Sequence, residues 1–271
     1  MNSDYHLTSS NDLIDFNSLG TIAKYQKVVF ANNNGKDDSL ILFTSGSTGK
    51  PKSVVLTNQN VLASGIYMKN TSNVKALNGD KTLVCVPFMY PYGFSTSTLL
   101  TLMSSKTAIL APNMSKNTIG LYLKKEPNII FGSPALLDLI MKNVPENQNL
   151  SSICQFVSGG DFLTPSHSKL GKEFFEKHGA HDVEMGNGSG NAETVSCGTD
   201  STGIKIRPET VGKILVGTNA MVVDEDSLEE KKYNEEGLLC VSGKHVFKEY
   251  FKEPQLTAEA KFVKDGKTYF K

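Results

Sequence analysis

The chain lacks several patterns that would declare a chemistry outright. Its four cysteines, Cys85, Cys154, Cys197 and Cys240, form no C-x-x-C pair, and its five histidines, His6, His167, His178, His181 and His245, form no H-x-x-H or H-E-x-x-H array. Metal-ligand spacing of the zinc type is therefore absent. Three cysteines lie in apolar strand-like runs, "LVCVP", "ICQFV" and "LLCV", and read as small buried hydrophobes. His178 and His181 close a helical pattern and read as a solvated helix terminus. Charge of one sign is not in excess: Lys+Arg 28 balance Asp+Glu 28, without a long basic run, which argues against a nucleic-acid partner. No apolar run approaches the ~20 residues of a membrane span. The start, "MNSDYHLTSSNDL", lacks the charged and apolar regions of a signal peptide, so the cytoplasm is the expected location. What is present, 39% apolar and 21% charged residues over 271, fits a soluble globular chain able to bury a full core in one large domain or two.

Residues 1–37 are polar and rich in Asn, Ser and Gly, and are expected to be a linker or the remnant of a missing N-terminal part. From Ser39, strand-like runs ("SLILFT", "SVVLT", "TLVCVP", "TAILAP", "NIIF", "ICQFVS", "DVEMG") alternate with helical patterns near 58–70, 94–104, 115–125, 134–143 and 165–178. The last helix is punctuated by Thr164 as cap, Pro165 in the first turn and Gly179 past the end. Alternation of this kind predicts an α/β subdomain over 38–207, a largely parallel sheet covered by helices, with ligands at the carboxyl ends of its strands. Two glycine-rich stretches, "VSGGD" and "MGNGSGNAET", fall at such ends. From residue 208 short strands and turns predict a small β-barrel or sandwich.

The densest signal is "LFTSGSTGKPKSVVLTNQN" at 42–60, where hydroxyls and glycines lead into two lysines split by a proline. Glycines admit backbone N–H groups to an anion, hydroxyls add donors and lysine adds charge, so phosphate is the implied ligand. A P-loop of the G-x-x-x-x-G-K-[ST] type does not fit: Thr44 stands where Gly is needed and Pro51 where Ser or Thr is needed. The β-branched "SVVLT" reads as a strand, which puts the anion in a hairpin-like turn. A flexible surface loop is the bland alternative.

Taken in order, these segments resemble the adenylate-forming, AMP-binding superfamily of acyl-CoA synthetases, peptide-synthetase adenylation domains and luciferases. The resemblance runs from Ser39 to Lys271: the phosphate loop, "PFMYPYGF" like the family's aromatic motif, "VSGGDFL" like its adenine-facing turn, "NGSGNAET" like its Tyr-Gly-x-Thr-Glu motif, then "PETVGKILVG" and "GLLCVSGKHVFKEYFKEPQLT". "KTYFK" ends where the family continues into Thr-Gly-Asp, so a fragment of the large N-terminal domain is expected. The resemblance implies activation of a carboxylic acid by ATP with Mg²⁺ to an acyl-adenylate, captured by CoA or a carrier-protein thiol. It implies Lys52 and Glu193 as catalytic residues and Thr44 and Glu193 as Mg²⁺ ligands. Thr44, Ser45, Gly46, Ser47, Thr48, Gly49 and Lys52 would hold the phosphates; Gly159, Gly160 and Asp161 would lie along the adenine. Asn187, Gly188, Ser189, Gly190, Ala192 and Glu193 would border nucleotide and acyl group, and Tyr90 and Gly186 the substrate.

The chain departs from the family at Ser53 (usually Gly), Asn58 and Tyr90 (usually His), Ser189 (usually aromatic) and Ala192 (usually Thr). Ala192 removes a hydroxyl expected on the α-phosphate, for which Asn187 or Asn191 could supply an amide donor. "GFSTSTLL" offers no Asp for a substrate α-ammonium, favouring a fatty, aryl or other acid without an α-amine over an amino acid. Phe88, Tyr90, Tyr92 and Phe94 would line its pocket. The alternatives are a degenerate relative that holds nucleotide without turnover and an unrelated nucleotide-binding module.

Overall fold

A computed structural model describes residues 34–44, 51–71, 81–203 and 209–271, and all of these but Asn34 belong to one unit, Gly35–Lys271. The centre of that unit is a seven-stranded sheet of order β4-β3-β5-β6-β7-β8-β9. Its strands β3 (Lys81–Val84), β4 (Thr107–Leu110), β5 (Ile129–Gly132), β6 (Gln155–Ser158) and β7 (Glu184–Ser189) run parallel; β8 (Thr199–Asp200) and β9 (Lys213–Ile214) add antiparallel. The α/β expectation holds, and the large sheet takes in residues beyond 207.

All four residues of β5 and all four of β6 are buried, because both sheet faces are covered. Successive side chains go to opposite faces. Ile130 and Phe156 join Leu137, Ile140 and Phe175 under helices α4 (Pro134–Asn143) and α5 (Pro165–Lys177), while Ile129, Phe131 and Val157 join Met68, Leu100 and Leu215 on the other side. Met68 lies on α1 (Asn58–Thr71) and Leu100 on α2 (Leu100–Met103). The expected helix at 94–104 is a π-helical stretch, Tyr92–Leu99, continued by α2; the expected 115–125 helix is shorter, α3 (Ile119–Leu123). Helix α5 starts as its sequence predicts, with Thr164 Oγ1 accepting from His167 N at 3.2 Å, and Gly179 follows its end at φ +87°.

A second, three-stranded sheet sets the site. Strands β1 (Asp38–Phe43) and β2 (Ser53–Thr57) form the expected hairpin, and β12 (Glu249–Tyr250) pairs antiparallel with β2 through Val54 and Val55. The step from β2 into α1 is a reciprocal cap: Thr57 N donates to Asn60 Oδ1 and Asn60 N to Thr57 Oγ1. Asn60 Nδ2 also donates to Lys244 O and Val246 O, both at 2.8 Å, tying the start of α1 to the segment that leads into β12.

A third sheet, β10 (Asn219–Val223), β11 (Leu238–Ser242), β14 (Lys267–Phe270) and β13 (Lys261–Lys264) in that order, is antiparallel throughout. It accounts for the turn-rich texture after residue 208; closure into a barrel is not seen among the described residues. Of the cysteines, Cys197 and Cys240 are fully buried and Cys85 and Cys154 partly so, and none forms a disulfide. Burial pushes the Cys85 thiol up to about 12. The reading of His178 as solvated is corrected: it is buried, stacked on Phe174 with 4.1 Å between ring centroids, with Nδ1 2.8 Å from Phe174 O.

His245 is wholly buried, edge-on to Tyr67, and neither ring nitrogen has a partner among the described residues. Burial lowers its pKa to about 4. The unfolded chain therefore binds a proton below about pH 6.5 that the folded chain refuses until about pH 4. Stability from this residue should fall by roughly 3 kcal/mol as pH drops through that window and stay level below it. Denaturant unfolding of the parent and His245→Phe at intervals from pH 7.5 to 3.5 checks this; parallel curves would show that His245 titrates alike in both states.

Candidate active site

The loop of the β1–β2 hairpin is clamped at its base. Thr44 N donates to Lys52 O at 3.0 Å, and Lys52 N to Thr44 Oγ1 at 3.1 Å. Ser45, Gly46, Ser47, Thr48 and Gly49 lie outside the described residues. Lys52 Nζ stands 5.1 Å from the centroid of the Tyr250 ring, a cation–π distance. The hydroxyl of the same tyrosine donates to Glu193 Oε1 at 2.7 Å. Lys52 and Glu193, joined in sequence only by inference, thus meet on the two ends of one side chain.

Glu193 is 6% exposed and sits in a one-turn 3-10 helix, Ala192–Thr194, opened by Asn191, whose Oδ1 accepts from Thr194 N. Its carbonyl accepts from Phe247 N at 2.7 Å, which fixes the turn against the approach to β12. A carboxylate buried to this degree needs a partner. Tyr250 supplies it, and burial followed by this bond holds the Tyr250 hydroxyl well above the usual phenol range. Lys261 braces the same segment from β13, donating to Phe247 O and Lys248 O over the Phe247 ring, and burial lowers its pKa to about 8. Tyr250 lay inside the motif quoted from the sequence but carried no signal of its own.

The two glycine-rich stretches lie side by side at the ends of β6 and β7, where Ser158 pairs with Asn187. A Cβ on Gly159 would fall 2.7 Å from the Tyr92 ring, and Gly160 has φ +80°, so both positions require glycine. Asp161 is exposed and its Oδ1 accepts from Phe162 N. The side chain of Asn187 is tied to Leu163, accepting from its N at 2.9 Å and donating to its O at 3.0 Å. That bond takes one of the two amide N–H groups and fixes the direction of the other. The methyl of Ala192 packs with Val54, Phe247 and Tyr250 in an apolar cluster.

Between these glycines and α1 lies a cavity of about 50 Å³. Gly159, Gly160, Gly188, Ser189 and Gly190 form its rim, and Tyr92, Phe131, Val157 and Leu215 its walls. Tyr92 Oη donates to Val157 O at 2.7 Å, and burial raises the Tyr92 hydroxyl far above the phenol range. Tyr92 alone of the four expected aromatics lines this cavity: Phe88 and Tyr90 stand 52% and 53% exposed, and Phe94 packs in the apolar cluster around Ala192. Gly186 is buried on β7, where a Cβ would fall 2.9 Å from Thr202 Cγ2.

The glycine-rimmed cavity lies at the carboxyl ends of parallel strands, where open α/β sheets hold their ligands. The family model for the AMP-binding enzyme matches residues 6–251, and the chain belongs to that family. It is 28% identical over 232 residues to a long-chain-fatty-acid–CoA ligase of Bacillus subtilis (strain 168), covering 85% of this chain and 40% of the relative. It is 27% identical over 238 residues to 4-coumarate–CoA ligase 3 of Arabidopsis thaliana, covering 83% and 41%. The crystal structure of a long-chain-fatty-acid–CoA ligase from Archaeoglobus fulgidus superposes with a TM-score of 0.79 at 18% identity, over 94% of this chain and 52% of that one. The chain spans about 40% of the length of the curated relatives it matches.

The contact between Tyr250 and Glu193 is testable without a ligand. Tyr250→Phe keeps the ring and strips the hydroxyl from a buried carboxylate, which should cost about 1.5–3 kcal/mol of stability. Chemical denaturation measures it; an unchanged midpoint and slope would mean that Glu193 finds another donor.

Proposed function

We propose that the chain is the nucleotide-binding core of an enzyme that activates a carboxylic acid with ATP to an acyl-adenylate and passes the acyl group to a thiol, that of CoA or of a carrier protein. The observation that carries this reading is the meeting of Lys52 and Glu193 on Tyr250 beside the hairpin that bears the phosphate loop. In this reading Lys52 leaves the Tyr250 ring for the stronger field of the phosphates, and the loop's hydroxyls and N–H groups complete the anion site. Glu193 and Thr44 suit Mg²⁺, since both present hard oxygens; Thr44 Oγ1 accepts one hydrogen bond and keeps a lone pair, and phosphates and water fill the rest of the shell. Magnesium, when bound, would offset the charge of departing pyrophosphate. Gly159, Gly160 and Asp161 would flank the adenine, with Asn187, Gly188, Ser189, Gly190 and Ala192 on its other side and Tyr90 and Gly186 toward the acid. The four-stranded antiparallel sheet would be the family's barrel portion, and the cytoplasm the location.

A second reading, a relative that holds nucleotide without turnover, is favoured by one observation. Ala192 packs in the apolar cluster with Val54, Phe247 and Tyr250 and has no hydroxyl to offer an α-phosphate. ATP binding without acid-dependent pyrophosphate release would select it.

Calorimetric titration with ATP and Mg²⁺ tests the shared part of both readings. Glu193→Ala and Lys52→Ala should each weaken binding by about tenfold or more, the scale of a lost charge-assisted contact. Full affinity in either folded variant would remove that residue from the nucleotide site.

A further inference from the structure

The floor of the cavity under Tyr92 is polar in a way that an apolar acid would not use. Gln155 and Asp200 both line it. They share one sheet face: Gln155 and Val157 are two apart on β6, Gly186 lies opposite Val157, Gly188 is two residues on, and Asp200 lies opposite Gly188. Gln155 is also four residues, about 13 Å, behind Gly159 along the strand direction, at the end remote from the glycine rim.

Gln155 is 0% exposed. Its Nε2 donates to Glu184 Oε2 at 3.2 Å, and because a carboxylate only accepts, that bond fixes which end of the amide faces Glu184. The other end, Oε1, has no partner among the described residues. Asp200 is 7% exposed and accepts from Thr202 N at 2.9 Å and Thr202 Oγ1 at 2.7 Å. A carboxylate has about four acceptor positions, so two remain open. No ion pair among the described residues includes Asp200. A buried acceptor without a donor beside a buried carboxylate with open acceptor positions is costly, and a ligand that brings the donor removes the cost.

We propose that the acid taken by this site carries a hydrogen-bond donor, a hydroxyl or an ammonium, at the end remote from its carboxylate, received by Gln155 Oε1 and Asp200. Phe131, Val157 and Leu215 enclose the apolar middle of the molecule. The acid is small: a cavity of about 50 Å³ must widen even for one aromatic ring and is far from holding a long alkyl chain. This rests on the acyl-activating reading and adds the substrate class to it.

The test is a set of calorimetric titrations of the whole chain in the presence of AMP, using isosteric pairs. 4-Hydroxyphenylacetate is set against 4-methylphenylacetate, and 6-aminohexanoate against heptanoate. The donor-bearing member of at least one pair should bind about tenfold tighter or more, against the ordinary advantage of the methyl group in an apolar pocket. Preference for the hydroxyl assigns a neutral donor and preference for the ammonium a charged one. Gln155→Leu should erase the first and Asp200→Asn the second; the parent's own ratios stand even where a variant fails to fold. Equal or tighter binding of the methyl members, or no binding of any acid, overturns the proposal. ATP titrated into the same sample separates the cases: ATP binding with no donor preference sinks only this inference, whereas absence of both ATP and acid binding sinks the acyl-activating reading as well.

Discussion

The pairing of β12 with β2 is the contact on which the rest of the site depends. It is short, Tyr250 and Glu249 against Val54 and Val55, yet it joins a segment near the end of the chain to the strand that leaves the phosphate loop. Without it the hairpin would be an isolated two-stranded unit, marginal in water. With it, Val54, Leu56, Phe247 and Tyr250 close one apolar cluster, and the Tyr250 ring is carried to Lys52 while its hydroxyl reaches Glu193. Asn60 and Lys261 hold the same segment from two other elements by backbone carbonyls alone.

This arrangement resolves an electrostatic difficulty. A carboxylate buried beside the exit of a glycine- and hydroxyl-rich loop suffers desolvation, and would repel any anion held there, unless something offsets its charge. A neutral phenol does so mildly: it satisfies one oxygen of Glu193 without cancelling the charge that a cation would need. Lys52 is held by a ring face, and no ion pair among the described residues includes it. Both groups are thus restrained by interactions weaker than those a phosphate and a hard cation would offer, as an exchange on ligand binding requires.

How much of this could be read in the sequence follows from how local each cause is. Thr164, Pro165 and Gly179 act within one turn of helix α5, and the alternating sheet strands carry their burial in their own apolar runs, so both were legible. The β1–β2 hairpin was legible from "SVVLT" following a glycine-rich loop. Strand β12 was not: "HVFKEYFKE" is a charged stretch with a two-residue strand in it, whose partner is remote in sequence, and no periodicity of period 2 or 3.6 can announce that. The burial of His178 failed for a similar reason, since it depends on Phe174 beneath it and on Leu150 N bonding to its carbonyl. Of the site residues, Lys52 and Glu193 were legible only through the resemblance; either alone is an ordinary surface charge.

Gln155 marks the boundary between what the fold requires and what this chain adds. A position buried on both faces of a parallel sheet is served by Val or Ile, and its neighbours Phe156 and Val157 follow that rule. A glutamine there loses side-chain freedom, needs Glu184 for one end and leaves the other unsatisfied. Stability gives no reason for it, because an aliphatic residue would fill the volume without an orphaned acceptor. Its placement on the cavity face, with Asp200 on the same face, makes a ligand group the partner that completes it.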